Sequence, residues 1–420
     1  MSKRRYRCVE IKQVDWSAVA QRVDGGRVVV AIDVAKQDMV AALMTADATV
    51  LARLRWVHPQ QTPTLLEGLD RLARSASLEA VLEPSGTYGD ALIGQLRRHA
   101  VAVYRIAPKR VHDAAELYDG VPSLHDAKAA EVIGRLHLDG ISTVWVAASA
   151  ERRELQARTT RLAVCKARYQ AALNRLEAAL SRHWPELLTV LELDTVTLST
   201  LVSTYGDAAA VAADPGGARA LMRRVGGDWL AEEKIAAVLA DARASLGLPT
   251  VPGERDLLKW LAGDVERIRR ERRAAERAIE QQVAQTATLA PLGAVVGRVS
   301  AAVLVAALGD PRDYPDSAGY LKALGLNLKE RSSGTHRGQL KIAKRGPGVA
   351  RTYLYFAALR LIAREPVVGR WYRRRTDHPG AIKGKSIVAL MRKLARALWH
   401  VARGDAFAVE RLFNRAAPAA

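Results

Sequence analysis

The chain has 420 residues, with 64 Lys and Arg against 44 Asp and Glu, a formal charge of +20. That is the balance of a protein that binds polyanions. A hydrophobic share of 49% is enough for buried cores in two or three domains and excludes disorder as a description of the whole chain. Two cysteines, Cys8 and Cys165, exclude a disulfide framework and a four-thiolate zinc site. Charges interrupt every apolar run before it reaches ~18 residues, so the expectation is a cytoplasmic protein with no membrane span.

Residues 1–25 read as an N-terminal extension. After it come three strands: RVVVAID (27–33) is continuously apolar, whereas DMVAALMT (38–45) and TVLARLRWV (49–57) alternate. With short polar breaks between them, they predict an antiparallel meander. Helical periodicity from Thr62, a short strand LEAVLE (78–83), a helix from Gly86 to His99, a strand VAVYRI (101–106) and helices after Pro108 and around Asp126 follow. Residues 26–148 therefore read as one α/β domain with a mixed sheet.

In residues 149–288, Leu155, Leu162, Tyr169 and Leu176 recur every seven residues, with Leu173 and Leu180 on the same stripe. Leu258, Leu261, Val265, Ile268, Ala275 and Ile279 form a second stripe, and a helical insert of about residues 190–252 separates the two. An antiparallel coiled-coil arm and two core helices of one bundle both fit this pattern. Residues 289–420 read as a helical domain with a Gly-rich loop and a basic helix. Within them, residues 321–405 hold 20 Lys and Arg against 4 Asp and Glu, a local charge of +16, so a polyanion site is expected there.

AIDVAKQD places Asp33 at the end of a buried strand, and LEPSG places Glu83 at the end of another, before a Pro/Gly turn. Asp126, in SLHDAKAAEVIG, opens a helix. Carboxylates at strand ends hold hard cations such as Mg²⁺ for phosphoryl transfer, because oxygen ligands in a shared cleft bridge the ion and a phosphate. Taken singly, each residue also fits a plainer role as turn former, solvent-facing acid or helix N-cap. Together, in a strongly basic chain, they read as one metal site.

Further along, RSSGTHRG sets Ser332 and Ser333 beside Arg331, His336 and Arg337. A serine that attacks a phosphate needs a proton acceptor and cations around the phosphorane, and Arg clamps phosphate in bidentate fashion; a flexible turn is the plain alternative. Lys341, Lys344, Arg345, Arg351, the Arg373–Arg375 run, Lys383, Lys385, Arg392 and Lys393 would track a nucleic-acid backbone. Gly293 and Gly297 ahead of an Ala/Val/Leu helix resemble a helix-hairpin-helix entry. Zinc spacing, a GxxxxGK[ST] loop and a GxGxxG after a strand are all missing from the sequence, which argues against zinc, ATP and dinucleotides as cofactors.

The blocks AIDVAKQD, EPSGTYGDALIGQLRRHAVAVYRIAPKRV and HDAKAAEVIGRL resemble, in order, the RuvC-like domain of the DEDD transposases of bacterial insertion sequences. That family includes the Piv-type invertases and the bridge-RNA-guided recombinases. VVGRVSAAVLVAALGDPRDY, YLKALGLNLKERSSGTHRGQLKIAKRG and the KxxxAxxRKLxxxxW pattern at 385–399 are similar to its C-terminal serine domain. The resemblance implies an RNase H/RuvC-like mixed sheet, a coiled-coil helical region and a helical serine domain. It further implies Asp33, Glu83 and Asp126 as the first three acids, and Ser332 or Ser333 as the recombinase nucleophile. DNA ends and target, a guide RNA and a homodimer or homotetramer are implied as partners. The fourth acid of the motif should stand at 129, where this chain has Ala129. Glu131 points about 140° away from Asp126 on a helix, and Asp119 or His125 in the preceding loop would have to fold back to complete the site. A three-carboxylate site, a rescued site and a weakened enzyme all remain open at this point, as does a RuvC-like nuclease without serine chemistry.

Overall fold

The computed structural model describes residues 6–23, 25–84, 86–330, 338 and 340–413, in two compact units, residues 1–147 and 148–420. The first is built on seven strands: β1 (Val9–Glu10), β2 (Arg27–Asp33), β3 (Asp38–Thr45), β4 (Val50–Val57), β5 (Ser77–Leu82), β6 (Ala102–Arg105) and β7 (Thr143–Val144), in the order β1-β4-β3-β2-β5-β6-β7. The expected meander is present, since β3 runs antiparallel to both β2 and β4. β5 then lies parallel to β2, and β6 parallel to β5, which makes the sheet mixed.

Helices cover both faces: α1 (Trp16–Gln21), α2 (Thr62–Leu72) and α3 (Asp90–Arg98) on one, α4 (Pro108–Asp113) and α5 (Asp126–Leu138) on the other. The helix predicted from Gly86 starts only at Asp90, because Gly86 sits at φ +59, a left-handed conformation that no right-handed helix contains. β1 was not anticipated. Two residues are too few to show a period, and what defines the strand is its parallel pairing with β4.

Strand alternation decides which side chain meets which helix. Val28, Val30 and Ile32 of β2 pack in the core beneath α2 and α3, whereas Val29 and Ala31 face α5. α5 approaches closely because its Gly134 carries no side chain; a Cβ there would overlap the Met44 sulfur and come within 3.0 Å of the Ala31 Cβ. Gly134→Val is therefore expected to destabilise this unit by about 1–3 kcal/mol, read from urea unfolding of the full chain; an unchanged midpoint would show that α5 has room to move.

In the second unit, α6 (Ala150–His183) and α12 (Pro252–Gln285) run side by side, with five short helices, α7–α11, between residues 187 and 243. The pairs Arg168–Glu271 and Arg182–Glu254 show that the two helices are antiparallel. Their stripes are buried against helices of the same unit. Tyr169, Leu173, Leu176 and Leu180 join Leu258, Leu261, Val265 and Ile268 in a core with α7–α11. Leu155, Leu162, Ala275 and Ile279 instead join the core of the C-terminal helices. Those are α13 (Ala290–Val296), α14 (Arg298–Leu308), α15 (Ser317–Ala323), α16 (Gly348–Arg364), α17 (Pro366–Thr376) and α18 (Lys383–Ala402). Gly297 joins α13 to α14 at φ +83, with the Arg360 guanidinium packed against the turn. Among the described residues no single helix is long and apolar enough to cross a membrane.

Candidate active site

Asp33 is the last residue of β2, and its parity is that of Val29 and Ala31, so it faces the α5 side of the sheet. Glu83 follows β5 with the parity of Val81, which packs in the same core. β2 and β5 are parallel, so both carboxylates emerge at the same end of the sheet, the carboxyl end where open α/β sheets bind ligands. Asp126 opens α5 on that side, with His125 as N-cap accepting from the Lys128 amide through Nδ1. An acid in the first turn suits the positive end of the helix dipole.

Asp33 and Glu83 are both perturbed by a neighbouring acid. Burial, and next the Asp126 carboxylate, push Asp33 up to about 6. Burial and then Asp33 raise Glu83. Repulsion of the half-buried Asp33 carboxylate by the exposed Asp126, and of the half-buried Glu83 by Asp33, is what a divalent cation relieves, so the chemistry of this donor set fits such an ion. The carboxylates are not drawn into ligand geometry in this structure: among the described residues no three His, Cys, Asp or Glu stand close enough together to hold a metal.

The positions around the missing fourth acid are engaged elsewhere. Ala129 is buried. Glu131, also buried, pairs with Arg53 of β4. Asp119 accepts from the buried Lys128 ammonium at 2.8 Å and from the Tyr6 hydroxyl at 2.7 Å. Those bonds, together with the Val121 amide, hold its carboxyl well below the usual carboxylate range. Lys128 also donates to the Val121 carbonyl at 2.6 Å, fastening the 119–121 loop to α5. Sequence reading missed this network, since Tyr6, Asp119 and Lys128 are brought together by the fold and form no motif in the sequence.

In the second unit, β8 (Leu328–Lys329) and β9 (Lys341–Ile342) pair antiparallel. The sequence between them carries Arg331, Ser332, Ser333, His336 and Arg337, which lie outside the described residues. Lys341, Lys344, Arg345 and Lys385 are exposed. Lys344 takes the left-handed φ of 56, uncommon for a non-glycine residue, where Gly325 and Gly346 bring two backbone segments together. Arg351 instead donates to the Leu324 and Gly346 carbonyls, and Lys393 donates to the Leu412 carbonyl at 2.5 Å. Burial lowers both Arg392 and Lys393.

A mixed β-sheet with carboxylates at the ends of two parallel strands and at the start of the next covering helix, followed by a helical unit, is a RuvC-like α/β domain joined to an α domain. Comparison with family models agrees. Residues 30–185 match a transposase model of the DEDD type of the IS110 group, and residues 294–373 match the transposase IS116/IS110/IS902 family. The chain belongs to the IS110-type family of DEDD transposases. No curated protein matches the sequence. Membership makes the chain a DNA transposase or recombinase by class, with DNA as a partner, and a DEDD domain implies dependence on a divalent metal.

Proposed function

We propose that the chain moves an insertion sequence by site-specific strand transfer, with Mg²⁺ at Asp33, Glu83 and Asp126 and with Ser332 or Ser333 as nucleophile. The observation that supports the reading is the placement of three carboxylates from distant parts of the sequence: Asp33 and Glu83 at the same end of the parallel β2 and β5, and Asp126 at the start of the helix that covers that face. A bound divalent ion supplies charge neutralisation for a phosphoryl transfer. The serine Oγ gives up its proton and bonds to phosphorus, and one ester oxygen of the DNA leaves and takes up a proton. The phosphoserine keeps the bond energy, so a DNA hydroxyl can later displace the serine and religate without ATP. The exposed Lys341, Lys344, Arg345 and Lys385, with Arg331 and Arg337, neutralise backbone phosphates. A guide RNA from the element's own flank and a homodimer or homotetramer complete this reading. Ala129, buried at the position of the fourth acid, favours a second reading: a weakened homologue that binds nucleic acid without cutting it.

Trapping separates the two. Incubating the full chain with element-end DNA, guide RNA and Mg²⁺ and then denaturing it should leave protein covalently attached to a cleaved strand. Ser332→Ala or Ser333→Ala should remove the adduct while retaining binding, since a lost hydroxyl costs far less affinity than lost phosphate contacts. Cleavage without any adduct would point to hydrolysis by a nuclease, and neither cleavage nor adduct to the weakened homologue.

A further inference from the structure

Beside Asp126 the first unit opens into a cleft of about 830 Å³, within the range of clefts that take ligands, on the order of 300–1,000 Å³. One wall is the N-terminal segment, with Tyr6, Arg7 and Cys8; another is β4, with Arg55. The segment is fastened in place. The Tyr6 hydroxyl donates to Asp119, the Tyr6 ring meets the edge of His125 at 4.9 Å between centroids, and the Arg53 guanidinium lies 5.6 Å from the Tyr6 ring. Pairing of β1 with β4 anchors its other end. Arg7 is exposed and has no hydrogen-bond or ion-pair partner among the described residues, whereas Arg55 is balanced by Glu10 at 2.5 Å. The lining thus sets Arg7 and Arg55 beside Glu10, Asp38 and Asp126, and a guanidinium without a protein partner at its lip is free to take a phosphate in bidentate fashion.

We infer that this cleft receives the sugar-phosphate strand running from the scissile phosphate past Asp126, with Arg7 as a phosphate contact supplied by the N-terminal extension. The inference rests on the strand-cleaving reading above for its placement of the scissile phosphate. It adds a nucleic-acid contact remote in sequence from the basic C-terminal third. The alternative occupant is a cation drawn by Asp126, Asp38 and Glu10, all of which line the same cleft.

Cys8 gives the test a built-in reporter. It lines the cleft and is half-buried, within electrostatic range of Arg53, Arg55 and Asp126, whereas Cys165, the other cysteine, is buried. Burial pushes the Cys8 thiol up, so the reaction is run in mildly alkaline buffer. The full-length protein is treated with a short single-stranded DNA of mixed sequence carrying a thiol-reactive disulfide tether, and in parallel with the same tether on an uncharged small molecule. The DNA reagent should label Cys8 faster than the uncharged one, and Cys8→Ser should remove the adduct. Arg7→Glu should cut the ratio of the DNA rate to the uncharged-reagent rate by about tenfold, the uncharged reaction correcting for any change in Cys8 thiolate that the neighbouring carboxylate brings. Equal rates for the two reagents, or an Arg7→Glu variant that keeps the parent's ratio, would overturn the proposal. So would protection of Cys8 by Mg²⁺ alone, which would mark a cation site. The trapping experiment reports separately on cleavage: labelling as expected without any adduct would sink the strand-transfer reading and leave the cleft assignment standing, and the reverse pattern would do the opposite.

Discussion

Asp33→Asn should abolish strand cleavage, with a loss of about a thousandfold or more, since a metal-centred stabilisation of several kcal/mol is tenfold per 1.36 kcal/mol. The same substitution should make the metal-free protein more stable at neutral pH. Asp33 stands at about 6 in the fold because of burial and the Asp126 carboxylate, against roughly 3.9 unfolded. The folded state thus holds this proton more tightly, and its contribution to stability is present below about pH 4 and lost as pH rises towards 6. Asparagine has nothing to lose over that window. In the presence of chelator, the gain in stability of the variant should be near zero below pH 4 and reach roughly 1–2 kcal/mol above pH 6, once the shift is discounted for solvent screening at a partly exposed group. Paired thermal melts across that range check it. A variant less stable than the parent at pH 7 would mean that Asp33 is held by a favourable partner, and the repulsive-cluster account would fail.

Lys128→Met should act in the opposite direction and strongly, lowering the unfolding temperature of the first unit by roughly 10 °C. The Lys128 side chain is 3% exposed and its partner Asp119 8%, so removing the ammonium leaves the Asp119 carboxylate without its counter-charge, held only by the Tyr6 hydroxyl and the Val121 amide, and the Val121 carbonyl without the Lys128 donor. Asp119→Asn should destabilise in the same sense. Its carboxyl is held low by Lys128, Tyr6 and the Val121 amide, so its contribution is present above about pH 4 and fades as pH falls below that. Circular dichroism melts of both variants beside Asp33→Asn make the comparison direct. A metal ligand living in repulsion gains stability when neutralised, and a structural anchor loses it. If Asp119→Asn stabilised the metal-free protein as Asp33→Asn does, Asp119 would belong with the acids as the replacement for the one missing at Ala129.

These contrasts show where the amino-acid order was informative. Runs such as RVVVAID and DMVAALMT carry their strand assignment in their own residues, because a two-residue period and β-branched side chains are local properties, and β2 and β3 match the expected bounds residue for residue. The places of Asp33 at the end of β2, of Glu83 just after β5 and of Asp126 at the start of α5 were also legible, since each ends, follows or opens a recognisable element. The helix predicted from Gly86 was placed too early because backbone handedness at one glycine is invisible to periodicity.

The heptad stripes of α6 and α12 were read correctly as apolar faces, but a stripe does not say what covers it. Here one half packs on the inserted helices and the other on the C-terminal ones. The N-terminal residues read as a separate extension, yet β1 extends the sheet and Tyr6 reaches Asp119, 113 positions away. The tie between Asp119 and Lys128 spans only nine residues, but it depends on the 119–121 loop folding back over α5. Periodicity reports which side of an element is apolar, a short-range property of the chain. Pairing between an acid and a base far apart in sequence leaves no periodic trace, and it is set by the folding together of strands and helices that brings them within a hydrogen bond of each other.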